Sequence, residues 1–137
     1  MRVAVVFVAE KQRDRLMNLA KALGRGLEAQ GHQADVIDGS QDIGNKLTIY
    51  KYIAIGTEPI SLFGGKIPGK VAPYLSNAGK IDGKRSFAFV TKSMIGSTKA
   101  LQRLMKTMEK EGMFLKYSEI LQSAPEAEEI GKRLHVD

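Results

Sequence analysis

Apolar residues follow two alternating spacings along the chain, one typical of buried strands and one typical of amphipathic helices. Continuous apolar runs at residues 2–8, 52–55 and 85–90 predict strands that a parallel sheet buries on both faces. More diluted runs at residues 33–37 and 113–121 predict a half-exposed strand and a last strand. The pattern therefore predicts five strands.

Most of the segments between these strands have apolar residues at the spacing of an amphipathic helix. It predicts long helices at residues 13–30, 68–79 and 97–112, and a last helix that opens at Pro125. Residues 38–49 are rich in glycine and turn formers, so they are expected to form no more than one loose helical turn.

Single residues mark several boundaries. Gly56 is expected to end the third strand, while the oxygens of Asp14 and Ser97 are expected to cap the first and third helices. Gly24 and Gly26 lie inside the first helix, and we interpret them as small residues that let this helix approach the sheet.

The alternation of strands and helices predicts the fold. Right-handed crossovers place helices on both faces of a parallel sheet, so we expect a single three-layer α/β domain over residues 1–137. The simplest arrangement is a doubly wound sheet of five parallel strands in the order 2-1-3-4-5. In such a sheet the loops at residues 9–15, 57–67 and 91–97 converge at the carboxyl edge, where ligands bind.

Composition narrows the classes of function. The chain has 137 residues and no cysteine, which excludes disulfides, thiolate metal sites and a cysteine nucleophile. The apolar run at the start is too short for a signal sequence, and no segment is long enough to span a membrane, so we expect a soluble, cytoplasmic protein. The net charge of +6 favours anionic partners.

The run IGTEPISLFGGKIPGKVAPYL resembles the third strand, following loop and helix of flavodoxins and related FMN reductases. The order and length of the whole chain are also similar to theirs. The resemblance implies a flavodoxin-like fold and an FMN cofactor whose phosphate is held by the first loop and whose ring lies between the other two. It implies electron transfer, and an oxidoreductase activity if FMN is bound.

The first loop departs from that family. A hydroxyl-rich segment with glycine usually holds the phosphate, whereas this loop contains neither hydroxyls nor glycine. Backbone N–H groups at Lys11, Gln12 and Arg13 are the candidates for phosphate binding, and the cations of Lys11, Arg13 and Arg15 would neutralise the phosphate directly. Glu10 and Asp14 oppose an anion there, and the alternative is a capped helix start with solvated charges.

The other two loops carry the candidates for holding the ring. These candidates are Thr57, Ser61, Phe63, Gly64, Gly65, Ser93 and Gly96. Phe63 either stacks on the ring or folds inward over the end of the sheet, and Met94 or Ile95 would face the second side of the ring. Glu58 beside the ring would disfavour the anionic reduced flavin and lower its reduction potential. For the third loop, helix capping and a surface turn remain the alternative.

Positive charge is concentrated in residues 66–116, which contain eleven Lys or Arg and three Asp or Glu. Four of these cations are expected on the exposed side of the third helix: Lys99, Arg103, Lys106 and Lys110. They are either ordinary solvated residues or a surface that docks an acidic redox or scaffold protein, or another polyanion. Nothing favours nucleic acid or a membrane as the partner. Two hypotheses therefore stand, an FMN-associated redox module and a cofactor-less domain that docks an acidic partner.

Overall fold

The computed structural model describes residues 1–41 and 46–137. The strands are β1 (Arg2–Phe7), β2 (Gln33–Asp38), β3 (Tyr52–Thr57), β4 (Arg85–Thr91) and β5 (Phe114–Leu121). The helices are α1 (Arg13–Ala29), α2 (Val71–Ser76), α3 (Ser97–Lys110) and α4 (Ala124–Arg133). Within the described ranges, no helix is long and apolar enough to cross a membrane.

The strands form one parallel sheet in the order β2-β1-β3-β4-β5. In its centre, Val5 of β1 lies opposite Val36 of β2 on one side and Ala54 of β3 on the other. The predicted strand order and parallel direction are confirmed. All five strands therefore end at the same edge of the sheet.

Each face of the sheet packs against its own pair of helices. On one face, Ala4 and Val6 of β1 join a core with α2 and α3, whereas Val3 and Val5 join a second core with α1 and α4. Leucines such as Leu16 of α1 are completely buried, and each contributes about 1.5–3 kcal/mol. The predicted three layers follow from this alternation.

Close packing of α1 on α4 requires glycine at two positions. A Cβ at Gly26 would lie 2.2 Å from the carbonyl oxygen of Glu128, and one at Gly131 would lie 2.3 Å from that of Leu23. Gly24 does face β2, because a Cβ there would lie 3.4 Å from Val36. The interpretation of Gly26 as a helix-to-sheet contact is therefore wrong, since it serves the contact between two helices.

The third strand does not end at Gly56. β3 continues to Thr57, and Gly56 lies opposite Phe89 of β4. A Cβ at Gly56 would lie 2.1 Å from the Cζ atom of Phe89, so the aromatic ring occupies the space of the missing side chain. The predicted strand end is wrong because the missing side chain of Gly56 leaves space for the Phe89 ring, and the backbone does not turn there.

The second helix is much shorter than predicted. It begins at Val71 rather than Pro68, which places Pro73 in the first turn, where a residue without an N–H is tolerated. At the other end, the side-chain amide of Asn77 donates to the carbonyl of Pro73 at 2.7 Å. This side chain competes for helix carbonyls, and the helix ends at Ser76. The predicted loose turn at 38–49 falls partly on residues 42–45, which lie outside the described residues.

Candidate functional site

The three loops meet at the carboxyl edge of the sheet, as the fold predicts. The loop after β3 packs on the start of α3, where a Cβ at Gly65 would lie 2.5 Å from the Cβ of Lys99. It also contacts the loop after β4, because a Cβ at Gly96 would lie 3.1 Å from the carbonyl oxygen of Ser61. On the other side it contacts the loop after β1 through Glu58.

The side chain of Glu58 lies inside the loop that follows β1. Its Oε2 atom accepts hydrogen bonds from the backbone nitrogens of Glu10 at 2.5 Å and Lys11 at 2.7 Å. The backbone nitrogen of Gln12 donates to Oε1 at 3.0 Å. Glu58 is only 2% exposed, so the carboxylate is enclosed by these donors. A buried carboxylate needs such charge-assisted hydrogen bonds to offset its desolvation.

This arrangement decides whether an FMN phosphate fits the first loop. Two of the three N–H groups predicted to hold the phosphate, those of Lys11 and Gln12, donate to Glu58 instead, as does the neighbouring N–H of Glu10. The cations also lie elsewhere, since Lys11 Nζ donates to the Ile60 carbonyl at 3.1 Å and Arg13 Nε donates to Asp38 at 2.8 Å. A phosphate would meet a buried anion at this position, so these residues do not fit the group.

The predicted cap at Asp14 is wrong. Gln12 is the N-cap residue, and Asp14 lies in the first turn of α1 with its side chain 89% exposed. Glu58 supplies the negative charge at this helix start from a different part of the chain. The sequence patterns predict Glu58 beside a ligand ring and not at the start of α1. One feature of the sequence does indicate this contact. Glu58 directly follows β3, and β3 is the neighbour of β1 in the predicted sheet, so the loops after these two strands are expected to lie side by side.

The hydroxyls of the loop after β3 are used within the protein. Thr57 is completely buried, and its Oγ1 donates to the Val8 carbonyl at 2.6 Å. Ser61 Oγ donates to the Phe63 carbonyl at 2.6 Å and accepts from the backbone nitrogen of Lys66 at 3.3 Å. These contacts give the loop a defined shape, and the hydroxyls stabilise it.

The loop after β4 is held in a similar way. The backbone nitrogen of Ser93 donates to Ser97 Oγ at 2.7 Å, and Ser93 Oγ donates to the Ile95 carbonyl at 2.6 Å. Gly96, with a φ of 93°, is the N-cap residue of α3. The prediction that Ser97 caps this helix is therefore wrong, since Ser97 is its first residue and its hydroxyl stabilises the preceding turn.

Apolar side chains project from these two loops into solvent. Phe63 is 77% exposed and Met94 is fully exposed, so the alternative in which Phe63 folds inward over the end of the sheet is wrong. We call Leu62, Phe63, Met94 and Ile95 the apolar rim. Residues of the rim line a cleft of about 270 Å³ whose charged lining residues are Lys92 and Lys99. Of the predicted ring-binding residues, Gly64, Ser93 and Gly96 also line this cleft.

Positive charge continues from the cleft along α3. Lys99, Arg103, Lys106 and Lys110 are exposed and border a shallow groove of about 540 Å³ that begins at Gly64. Within residues 1–41 and 46–137, none of these cations has a carboxylate within 4.0 Å. The predicted exposed cationic face of α3 is confirmed, and it joins the apolar rim.

Comparison with known proteins shows similarity in fold. No protein-family model matches the chain, and no curated protein matches it in sequence. Flavodoxin 2 from Bacillus cereus superposes with a TM-score of 0.73 at 15% identity, covering 97% of this chain and 94% of that one. A flavodoxin from the domain Archaea gives a TM-score of 0.68 at 16% identity, covering 97% and 95%.

A flavodoxin, WrbA-like protein from Agrobacterium tumefaciens gives a TM-score of 0.66 at 17% identity, covering 96% of this chain and 93% of that one. These structures match nearly the whole length of the chain. The resemblance inferred from the sequence is confirmed at the level of architecture: the chain has the flavodoxin-like fold.

Proposed function

We propose that this chain is a flavodoxin-like docking domain that acts without FMN phosphate in the loop after β1. The observation that supports the proposal most strongly is the Glu58 carboxylate, which accepts hydrogen bonds from the backbone nitrogens of Glu10, Lys11 and Gln12 in the loop where a phosphate was expected. The Glu58 side chain, a group of the protein itself, thus accepts hydrogen bonds from the backbone N–H groups of this loop. The domain therefore keeps the architecture of the fold without requiring a cofactor to complete it.

The apolar rim and the α3 cations define the partner that this surface fits. Four apolar side chains are exposed around one cleft, and the neighbouring cations have no carboxylate partner among the described residues. An acidic protein surface that presents an apolar side chain among Asp and Glu residues complements both features. Burial of Phe63 and Met94 would supply about 1.5–3 kcal/mol each. The cations would add attraction that falls with ionic strength.

A defined peptide tests this surface. We expect a fluorescently labelled peptide of alternating Glu and Leu to bind more tightly than polyglutamate, by about tenfold, because leucine adds apolar contact with the rim. Fluorescence anisotropy gives both affinities. The double variant Lys99→Glu/Lys106→Glu should lose binding of both probes, and Phe63→Ser/Met94→Ser should lose only the preference for the peptide.

The control is Lys21→Glu/Lys51→Glu, which reverses two exposed lysines outside the rim and α3. It should bind like the wild type. Equal loss in the control would mean that net charge alone drives binding. Heparin is the second comparison. If heparin binds as tightly as the Glu–Leu peptide and the rim variants have no effect, the surface binds polyanions in general, which would contradict the proposed partner.

A flavin redox module is the second candidate, supported by the exposed Phe63 ring beside the cleft and by the redox-active relatives of the fold. A flat ring could stack on Phe63 without using the loop after β1. The cleft would then bind riboflavin and FMN with equal affinity, because the phosphate has no place at Glu58. An absorption spectrum and parallel titrations with both flavins test this candidate. A strong preference for FMN would contradict the phosphate-free mode.

A further inference from the structure

A further cavity lies at the opposite edge of the sheet from the three loops. It has a volume of about 430 Å³ and is lined by Tyr52, Lys116, Tyr117, Ile130, Arg133 and Leu134, together with His135. Tyr52 is the first residue of β3, and Arg133 is the last residue of α4. The cavity therefore lies under the carboxyl-terminal end of α4, where the helix stops covering the sheet.

A β-bulge shapes one wall of this cavity. The register between β4 and β5 pairs Ser86 with Leu115 and Phe87 with Tyr117, so Lys116 is an extra residue in β5. Tyr117 then stacks on Phe87 with ring centroids 5.6 Å apart. Bulges of this kind re-aim side chains in an edge strand. Here the bulge brings Lys116 and Tyr117 together beside α4.

Tyr52 is the most informative residue in the cavity wall. Tyr52 is completely buried, and its hydroxyl oxygen has no hydrogen-bond partner among the residues that the structure places. Burial raises the pKa of the Tyr52 phenol, so the group stays protonated and can donate a hydrogen bond. A buried donor without a partner is unfavourable, and a ligand oxygen would relieve that cost.

The charged residues around the cavity are mainly positive. Lys116 and Arg133 line it, with His135 following α4. Arg133 forms an exposed ion pair with Glu129 at 3.6 Å and no other ion pair within residues 1–41 and 46–137, which leaves its guanidinium able to bind another anion. The nearby carboxylate of Glu119 accepts a hydrogen bond from the Tyr117 hydroxyl at 2.8 Å. Ile130 and Leu134 supply an apolar wall.

We propose that this cavity binds a small carboxylic acid with an aromatic or branched aliphatic body. The apolar body would contact Ile130, Leu134 and the Tyr117 ring, while Lys116 and Arg133 neutralise the carboxylate. An oxygen of the acid would accept the hydrogen bond that Tyr52 has to offer. This site is separate from the docking surface, so it does not depend on the function proposed above.

A titration with benzoate followed by amide NMR tests the site. We expect saturable shifts at Lys116, Tyr117 and Arg133, and no such shifts with benzylamine, which has the opposite charge. Tyr52→Phe should weaken benzoate binding by about three- to tenfold, because it removes one hydrogen bond. Arg133→Gln should weaken it by about tenfold or more. Lys132→Gln, one residue earlier on α4, should bind like the wild type.

Stability without ligand separates a binding defect from a folding defect. Tyr52→Phe removes a buried hydroxyl that has no partner, so this variant should unfold at the same or a higher temperature than the wild type. Absence of saturation up to about 50 mM benzoate would overturn the proposal. Equal binding of benzoate and benzylamine, or unchanged binding in both the Tyr52 and Arg133 variants, would overturn it as well.

Discussion

The carboxylate of Glu58 lies 2.7 Å from the backbone nitrogen of Lys11, although the two residues are 47 positions apart in the chain. This contact joins the loop after β3 to the loop after β1. It places a negative charge at the amino end of α1, where the helix dipole and the free N–H groups favour an anion. A side chain of the protein thus does structurally what a bound phosphate does in a nucleotide site.

Replacing Glu58 with glutamine should destabilise the protein. The glutamine removes the charge and presents an NH₂ group to N–H donors, so we expect a loss of about 1–3 kcal/mol in the free energy of unfolding. Urea denaturation followed by circular dichroism measures it. Glu10→Gln is the matched control, because Glu10 is exposed and its side chain lies outside this cluster. Equal losses of unfolding free energy in the two variants would contradict the prediction, because the buried Glu58 contact would then contribute no more to stability than an exposed glutamate.

Gly56→Ala should be among the most damaging single-methyl additions in the sheet. The new Cβ would lie 2.1 Å from the buried Phe89 ring, so we expect a loss of about 3 kcal/mol or more. Phe89→Leu in the same chain should recover part of that loss. Gly69→Ala is the control, because a Cβ there would meet no atom within 4 Å. Thermal unfolding of the four proteins tests the prediction, which fails if the two alanine variants behave alike.

Asp35 should make stability depend on pH in the acid range. The hydrogen bond from the Tyr50 hydroxyl at 2.8 Å lowers the pKa of Asp35, and the Arg2 guanidinium at 2.9 Å lowers that pKa further. Because the pKa is lower in the folded state, this stabilisation is present above about pH 4 and is lost as pH falls through the folded pKa.

The Asp35→Asn variant tests this pH dependence. Its deficit in the free energy of unfolding relative to the wild type should be largest near neutral pH and should shrink below about pH 4. The exposed carboxylate variant Asp137→Asn is the control and should show a small deficit throughout. A deficit of Asp35→Asn that is independent of pH would contradict the assignment. Denaturation series at several pH values give the answer.

The strand order could be predicted from the sequence because it depends on patterns that local residues carry. The apolar runs of β1 and β4 and the helical spacing of α1 are visible in any short window of the sequence. Parallel alternation then leaves few possible topologies. The exposed cationic side of α3 followed from the same helical periodicity.

The errors arose where a residue responds to a distant part of the chain. Gly56 has the local pattern of a strand end, but its role is to leave room for the Phe89 ring of the neighbouring strand. Asp14 has the local pattern of a helix cap, but Glu58 from another loop accepts the hydrogen bonds just before this helix. Local sequence patterns contain no information about such contacts, which depend on neighbouring strands and on loop packing.

The most direct test of the central claim is a titration of inorganic phosphate into the wild type and Glu58→Ala, followed on the backbone amides of Glu10, Lys11 and Gln12. The wild type should show no saturable shifts at these amides, because Glu58 holds them. Glu58→Ala should bind phosphate at least about tenfold more tightly and gain thermal stability from it. Saturable binding of phosphate to these amides in the wild type, with no gain in the variant, would contradict the account.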